Sequence, residues 1–282
     1  MNDTIALSRP HLAICAIARN EEEDMPGFLE NVSHIADEII VVDDGSKDET
    51  VRIVEAFGPH CHVVHRAMHP EDGFAGQRNA AIKAATADWL LHMDIDERVT
   101  PELGREILRL TTNTELNAFR YRRLNYFLQR PFRAGGWQRW NKPQLARRGA
   151  HKFINPIHEE CEIEGGDART GQLKGEMLHF VDRDYLERAR KNLAYSQRMA
   201  DDILASGRRV GLRGVLLLPL WRALKAYGPN GAWRYGLRGL IFSLYVFCGT
   251  FNWFATAWDR QNRRPRAELE DEIRQQWLED AK

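Results

Sequence analysis

Between His11 and Asp94, four short apolar runs alternate with helical patterns, and few architectures accept that order. His11–Ala18, Glu38–Asp43, Cys61–His65 and Asp88–Asp94 read as strands. Phe28, Leu29, Val32 and Ile35 fall at helical spacing after the first. Val51, Val54 and Phe57 do so after the second, and an alanine-rich helix over 75–85 follows the third. Gly58-Pro59 ends the second helix and Pro101 opens a fourth. Strands apolar on both faces, joined by helices, predict an α/β fold with a mostly parallel central sheet covered on both sides. Ligands of such sheets bind beyond the carboxyl ends of the strands.

Those ends are polar. Ala18-Arg19-Asn20-Glu21 follows the first strand, Asp43-Asp44-Gly45-Ser46 closes the second, and Asp94-Ile95-Asp96-Glu97 closes the fourth. Alternation within a strand points Asp94 and Asp96 the same way, as a hard divalent cation, Mg²⁺ or Mn²⁺, requires. An isolated Asp-x-Asp is more often a solvated turn, so its place after three strand–helix units carries the weight. No G-x-G-x-x-G follows the first strand, which argues against a dinucleotide-binding oxidoreductase. A diphosphate would need the cation instead, helped by Arg78. Asp44 is placed to accept hydrogen bonds from a base or ribose. A turn and helix cap is the plainer role for one of the paired aspartates.

Farther along, 118–157 holds many arginines and aromatics and no acid. A one-sign patch implies an anionic partner, here a phosphorylated saccharide in preference to nucleic acid. A solvated face accounts for about half of it. Asn155-Pro156-Ile157-His158-Glu159-Glu160 offers acids for general-base work, Glu159 first, with Glu160 and Asp182 as fallbacks. His179 stands between Leu178 and Phe180, where a core histidine is the commoner reading. Asp184–Ala205 reads as an amphipathic helix.

Composition shifts after residue 205. Val210–Tyr227 is apolar and broken by Pro219, and Gly239–Trp258 carries no charge. The second run is long enough to span a bilayer but contains Gly249, Thr250, Asn252 and Thr256. Arginines at both ends and four tryptophans favour helices lying on an anionic membrane surface over a span or a packed pair. Residues 267–282 read as a solvated helix. Hydrophobic content of 43% and zero net charge fit a folded protein. Four scattered cysteines suggest a reducing compartment, and Met1–Pro10 lacks the pattern of a signal peptide.

Taken together, Ile17–Glu21, Val41–Thr50, Gly76–Ala81 and Met93–Glu97 resemble the family 2 glycosyltransferases of the GT-A fold, over residues 11 to about 200. The likeness is strongest to bacterial lipopolysaccharide inner-core β-glucosyltransferases. The resemblance implies a GT-A catalytic domain at 1–205, with a nucleotide-sugar half (11–110) and an acceptor half (111–205), followed by a helical membrane-associating region at 206–282. It implies an inverting hexosyltransferase at the cytoplasmic side of the inner membrane, working peripherally. The donor would be a nucleotide-diphosphate sugar, with UDP and glucose expected, and the acceptor a lipid-linked glycan such as the lipopolysaccharide core. In its terms Asp94, Asp96 and His179 hold the metal, and Glu159 and Asp96 are catalytic. Ala18, Arg19, Asn20, Glu21, Asp43, Asp44, Gln77, Arg78 and Asp94 contact the donor. A sugar-nucleotide nucleotidyltransferase would need a Gly-rich basic loop after the first strand. A non-catalytic glycan-binding module would not need these carboxylates.

Overall fold

The computed structural model describes residues 9–156 and 159–280. Met1–Ser8, at the start of the signal-peptide reading, and Ile157-His158, inside the acid-bearing stretch, lie outside the described residues. Two compact units are present, residues 1–132 with 137–181, and residues 133–136 with 182–282.

In the first unit, chain order runs β1 (Leu12–Ala18), α1 (Met25–Ser33), β2 (Glu38–Asp43), α2 (Thr50–Phe57), β3 (Cys61–His65), α3 (Gly73–Ala84), β4 (Trp89–Asp94), β5 (Glu97–Val99) and α4 (Pro101–Thr112). There follow β6 (Ala118–Phe127), β7 (Arg130–Pro131), β8 (Asn141–Arg147), β9 (His151–Ile154), β10 (Glu160–Ile163) and β11 (Thr170–His179). The main sheet has the order β3-β2-β1-β4-β8-β6-β11-β5, with β7 beside β6, and β9 and β10 form a separate pair. As expected from the alternation, β1 to β4 pair in parallel. Beyond β4 the sheet is mixed, with β8 antiparallel to both neighbours and β11 parallel to β6.

Side-chain alternation explains the two layers. Ile14, Ile39, Val41, Leu91 and Met93 face one side and pack with Phe28, Leu29, Val54, Leu103 and Ile107 of α1, α2 and α4. Ala13, Cys15, Ile40, Val42 and Leu90 face the other and meet Ala81 and Ala85 at the end of α3. The register of β11 against β6 shifts between Gln172 and Glu176, and Gly175 in this stretch has a packing role. A Cβ on Gly175 would lie 2.8 Å from the Leu103 Cα, so only glycine lets the strand pass α4 this closely.

Behind β4, His92 Nε2 lies 2.9 Å from His151 Nε2, and the His92 ring stands edge-on to Phe153. Burial, then His151 and Arg78, push the His92 pKa well below the usual range, and burial lowers His151. Folded values thus lie below unfolded ones. The stabilising contribution is complete above about pH 6.5 and is lost as pH falls toward the folded values, because the unfolded chain takes up protons first. The unfolding free energy is expected to decline below about pH 6.5 with a slope approaching ~1.4 kcal/mol per pH unit for each imidazole. Denaturant melts across this range check it, and a flat profile contradicts a neutral buried pair.

The second unit is helical: α5 (Tyr185–Ala205), α6 (Leu218–Tyr227), α7 (Gly236–Asn262) and α8 (Arg266–Asp280). Asp184 caps α5 by accepting from the Glu187 N–H at 2.8 Å, and Glu187 accepts from the Arg183 N–H. The apolar face expected of α5 is not the buried one. Tyr185, Leu186, Leu193 and Tyr195 are exposed, whereas Arg188, Ser196 and Ala200 are buried. α5 meets α7 along this face, with Arg188 over the Tyr245 ring, the Asn192 amide against Gly249, and Ala200 packed with Phe254 and Ala257. Nor does Pro219 break the apolar stretch. Arg213–Leu217 form one π-turn, in which the Leu218 N–H donates to the Arg213 carbonyl, and Pro219 falls in the first turn of α6. No residue of α8 is buried, as expected of a solvated helix.

Candidate functional site

Register brings three strand ends level, with Ala18 beside Asp43 and Ile17 beside Asp94. Beyond them opens a cavity of about 530 Å³, lined by Ile17, Ala18, Arg19, Glu21, Asp44, Met68, Phe74, Arg78, Asp94 and Glu159. Asp94 at the end of β4 and Asp44 of the Asp-Asp-Gly-Ser turn therefore share one cleft, as the strand-end pattern predicts.

The two turn aspartates divide their work. Asp43 is buried and accepts from the Gly45 and Ser46 N–H groups, closing the turn, with Gly45 in the left-handed region at φ 73°. Asp44 reaches the cavity, where Oδ1 accepts the Met68 N–H at 2.6 Å and Oδ2 meets Arg19 at 2.9 Å. The loops after β1 and β2 are zipped together. Asn20, itself left-handed at φ 57°, donates its N–H to Ser46 Oγ and accepts from the Lys47 N–H, while the Glu21 N–H donates to Thr50 Oγ1. Asn20 is thus a clasp that holds Arg19 and Asp44 across from each other. Gln77 is fully buried with its amide on the Arg66 carbonyl, and it supports the segment before Met68 without lining the cavity.

Arg78 is the hinge of the cleft. Its Nη2 lies 2.8 Å from Asp94 Oδ1 and its Nε 3.2 Å from Glu159 Oε1, with its guanidinium 5.4 Å from the Phe153 ring centroid. Removal from water would raise the Asp94 pKa, but Arg123 and then Arg78 hold its carboxyl well below the usual carboxylate range. Pro156, on the far side of Ile157-His158 from Glu159, is docked on the start of α3. The Phe74 N–H donates to the Pro156 carbonyl at 3.1 Å, and a Cβ on Gly73, at φ 48°, would collide with that oxygen. Of the fallback acids, Glu160 opens β10 on an exposed position, and Asp182 belongs to the second unit, where it pairs with Arg188 at 2.6 Å.

Asp94, Asp96 and His179 offer ligand atoms that all lie within 4.8 Å of one another. The donor set fits a divalent cation on two further counts. Asp96 Oδ1 is buried without a hydrogen-bond partner among the described residues. His179 Nδ1 lies 2.6 Å from Asn125 Oδ1, and its Nε2 lies 3.4 Å from Asp96 Oδ2. With Nδ1 turned to Asn125, Nε2 is the ring nitrogen that faces Asp96 and the one placed to meet a cation. Oxygen donors with one imidazole suit Mn²⁺ or Mg²⁺. Asp94 is the more encumbered ligand, because both of its oxygens already meet guanidinium groups.

Sequence reasoning missed Asn125, Met68 and Phe74. Asn125 becomes legible only once β11 is placed, since it sits opposite His179 in the β6–β11 register. The basic stretch also resolves into parts. Arg120 pairs with Asp167, Lys152 pairs with Glu162, Arg147 lies over Trp89, and Arg148 donates to the Ala87 carbonyl. Lys142 donates to the Glu159 main-chain carbonyl, with Nζ 3.4 Å from its oxygen.

Comparison with known proteins follows the same line. The family model described as Glycosyl transferase family 2 matches residues 13–162, just over half of the 282 residues. The chain is 29% identical to the lipopolysaccharide core biosynthesis glycosyltransferase LpsC of Rhizobium meliloti, over 94% of this chain and 98% of that one. It is 27% identical to the uncharacterized glycosyltransferase RP128 of Rickettsia prowazekii, over 81% of this chain and 80% of that one. Among solved structures, S. aureus TarS 1-349 in complex with UDP-GlcNAc aligns with a TM-score of 0.48 at 14% identity, covering 89% of this chain and 91% of that one. With the family match spanning β1 to β10 and the cleft at the ends of the parallel strands, the chain belongs to glycosyl transferase family 2.

Proposed function

We propose that this chain is an inverting, metal-dependent hexosyltransferase that moves a sugar, glucose in the first instance, from a UDP-sugar to a lipid-linked glycan of the lipopolysaccharide core type. The observation that carries the reading is one guanidinium, Arg78, flanked in one cavity by Asp94 on the donor side and Glu159 on the other. A divalent cation held by Asp96 and His179, with Asp94 beside them, would supply charge neutralisation for the departing nucleoside diphosphate. Arg78 adds its own charge at the diphosphate. Asp44 and the Ala18-Arg19 segment hold the nucleoside. Glu159 takes the proton of the acceptor hydroxyl as that oxygen attacks the anomeric carbon from the face opposite the diphosphate, so configuration inverts. Lys142, at the Glu159 carbonyl, offers a cation to a phosphorylated acceptor. Similarity to LpsC supports the core-glycan acceptor.

Membrane attachment is supported by the second unit. The segment Ala232–Asn262 is long and apolar enough to cross a bilayer, yet only 33% of its apolar window is buried. Leu237, Leu240, Leu244, Phe251 and Trp258 form an exposed stripe on α7, and Leu217, Leu220, Trp221 and Leu224 form another at α6. Basic residues far outnumber the single acid, Asp259, over 205–266. Both features suit a peripheral seat on an anionic leaflet at the cytoplasmic face. Co-sedimentation with phosphatidylglycerol vesicles is expected for the wild type and sharply reduced for Trp221→Glu/Leu224→Glu. Equal recovery of both in the supernatant contradicts the attachment.

The activity itself is tested by incubating the protein with UDP-glucose and purified lipopolysaccharide core. Acceptor-dependent release of UDP is the expected result. Release of pyrophosphate from a sugar phosphate and nucleoside triphosphate would instead mark a nucleotidyltransferase, and no turnover with any donor would mark a binding module.

A further inference from the structure

Glu97 is an acid with no exposed surface, directly beneath the donor site. Arg123 of β6 lies between it and Asp94, with Nη2 2.6 Å from Asp94 Oδ2 and Nε on Glu97 Oε1. The guanidinium is seated over the Trp140 ring, 4.0 Å from its centroid. The other Glu97 oxygen accepts the Asp94 main-chain N–H at 2.9 Å. Asp94 is therefore fixed at three points: its N–H by Glu97, one carboxylate oxygen by Arg123 and the other by Arg78.

Stability does not account for this assembly. Desolvating two charges costs several kcal/mol per ion as a rough scale, and apolar replacements of buried ion pairs are often neutral or stabilising. What the assembly supplies is direction. Two planar forks, Arg78 and Arg123, grip opposite oxygens of one carboxylate, and a ring holds the second fork in its plane. We infer that Arg123, seated on Trp140 and anchored by Glu97, is the positioning residue of the donor site. It sets the plane of Asp94, and through Asp94 it sets both the seat of Arg78 and the turn that presents Asp96. It touches neither sugar nor diphosphate. The inference rests on the donor-site reading proposed above.

Glu97→Gln/Arg123→Met tests it, because the pair leaves without altering net charge. Three readouts are taken: thermal midpoint, Mn²⁺ affinity by electron paramagnetic resonance without donor, and kcat and KM for UDP-glucose. The expected result is a midpoint close to wild type, with Mn²⁺ affinity and kcat/KM each lowered about 10- to 100-fold, the scale of losing a residue that orients a ligand. Arg123→Lys keeps the charge but not the fork and is expected to recover only part of the loss. A folded double variant within twofold of wild type in both functions overturns the inference. Should the double variant fail to fold, Trp140→Leu decides. It keeps both charges and frees the guanidinium, and the same losses support the role while unchanged Mn²⁺ affinity overturns it. Wild-type protein that takes up no Mn²⁺ overturns the donor-site reading itself, a result separable from failure of the brace alone.

Discussion

Asp96→Ala is expected to lower kcat for UDP-glucose about 10³-fold, roughly 4 kcal/mol of barrier. The substitution removes the carboxylate whose buried oxygen has no partner among the described residues and takes away the group that His179 Nε2 faces. Fold stability should change little, because the Asp96 carboxylate is partly exposed, its charged neighbour is His179 at 3.4 Å, and its main-chain carbonyl, which accepts the Phe180 N–H, remains. Circular dichroism melts separate the two effects. Turnover within threefold of wild type would remove the metal assignment from Asp96.

Glu159→Gln is the second large effect. The amide keeps the size of the side chain and an oxygen for Arg78, but takes up no proton from the acceptor. A loss of about 10³-fold in kcat is expected, within the range found for positioned general bases, with donor KM little altered. Steady-state kinetics with saturating acceptor make the check. If donor KM rises sharply while kcat holds, Glu159 serves donor binding through Arg78, and the base must be sought elsewhere on the cleft wall.

The donor half of the fold was legible in the chain because strands buried on both faces write themselves as unbroken apolar runs. Ile39-Ile40-Val41-Val42 feeds both core layers at once, so every residue of the run is apolar. The turn chemistry was equally plain, since Asp43, Gly45 and Ser46 form the turn their types suggest. The acceptor half was less readable. In β8 only Gln144, Leu145 and Ala146 are buried, and in β11 only Leu173 and Met177, so neither strand shows a sustained alternation. Losing β11 concealed the strand context of His179 and the partnership with Asn125. Arg123 illustrates a different limit. In sequence it is one arginine among many and suggests a solvated patch. In the fold it lies beside an acid with no exposed surface, a placement that only tertiary contacts reveal. The apolar residues of α5 misled for a related reason, because the face that meets α7 is the one carrying Arg188, Asn192 and Ala200, a pairing that only tertiary contacts reveal.

A cation seated on the acids that end β4 is the feature to which donor binding, leaving-group departure and the brace beneath them all refer. It is tested most directly by following UDP release with a core acceptor while free divalent metal is removed by chelator and then restored. Activity should disappear with the metal and return on adding Mn²⁺ or Mg²⁺, with Asp96→Ala insensitive to either step. Full transfer in excess chelator would contradict it.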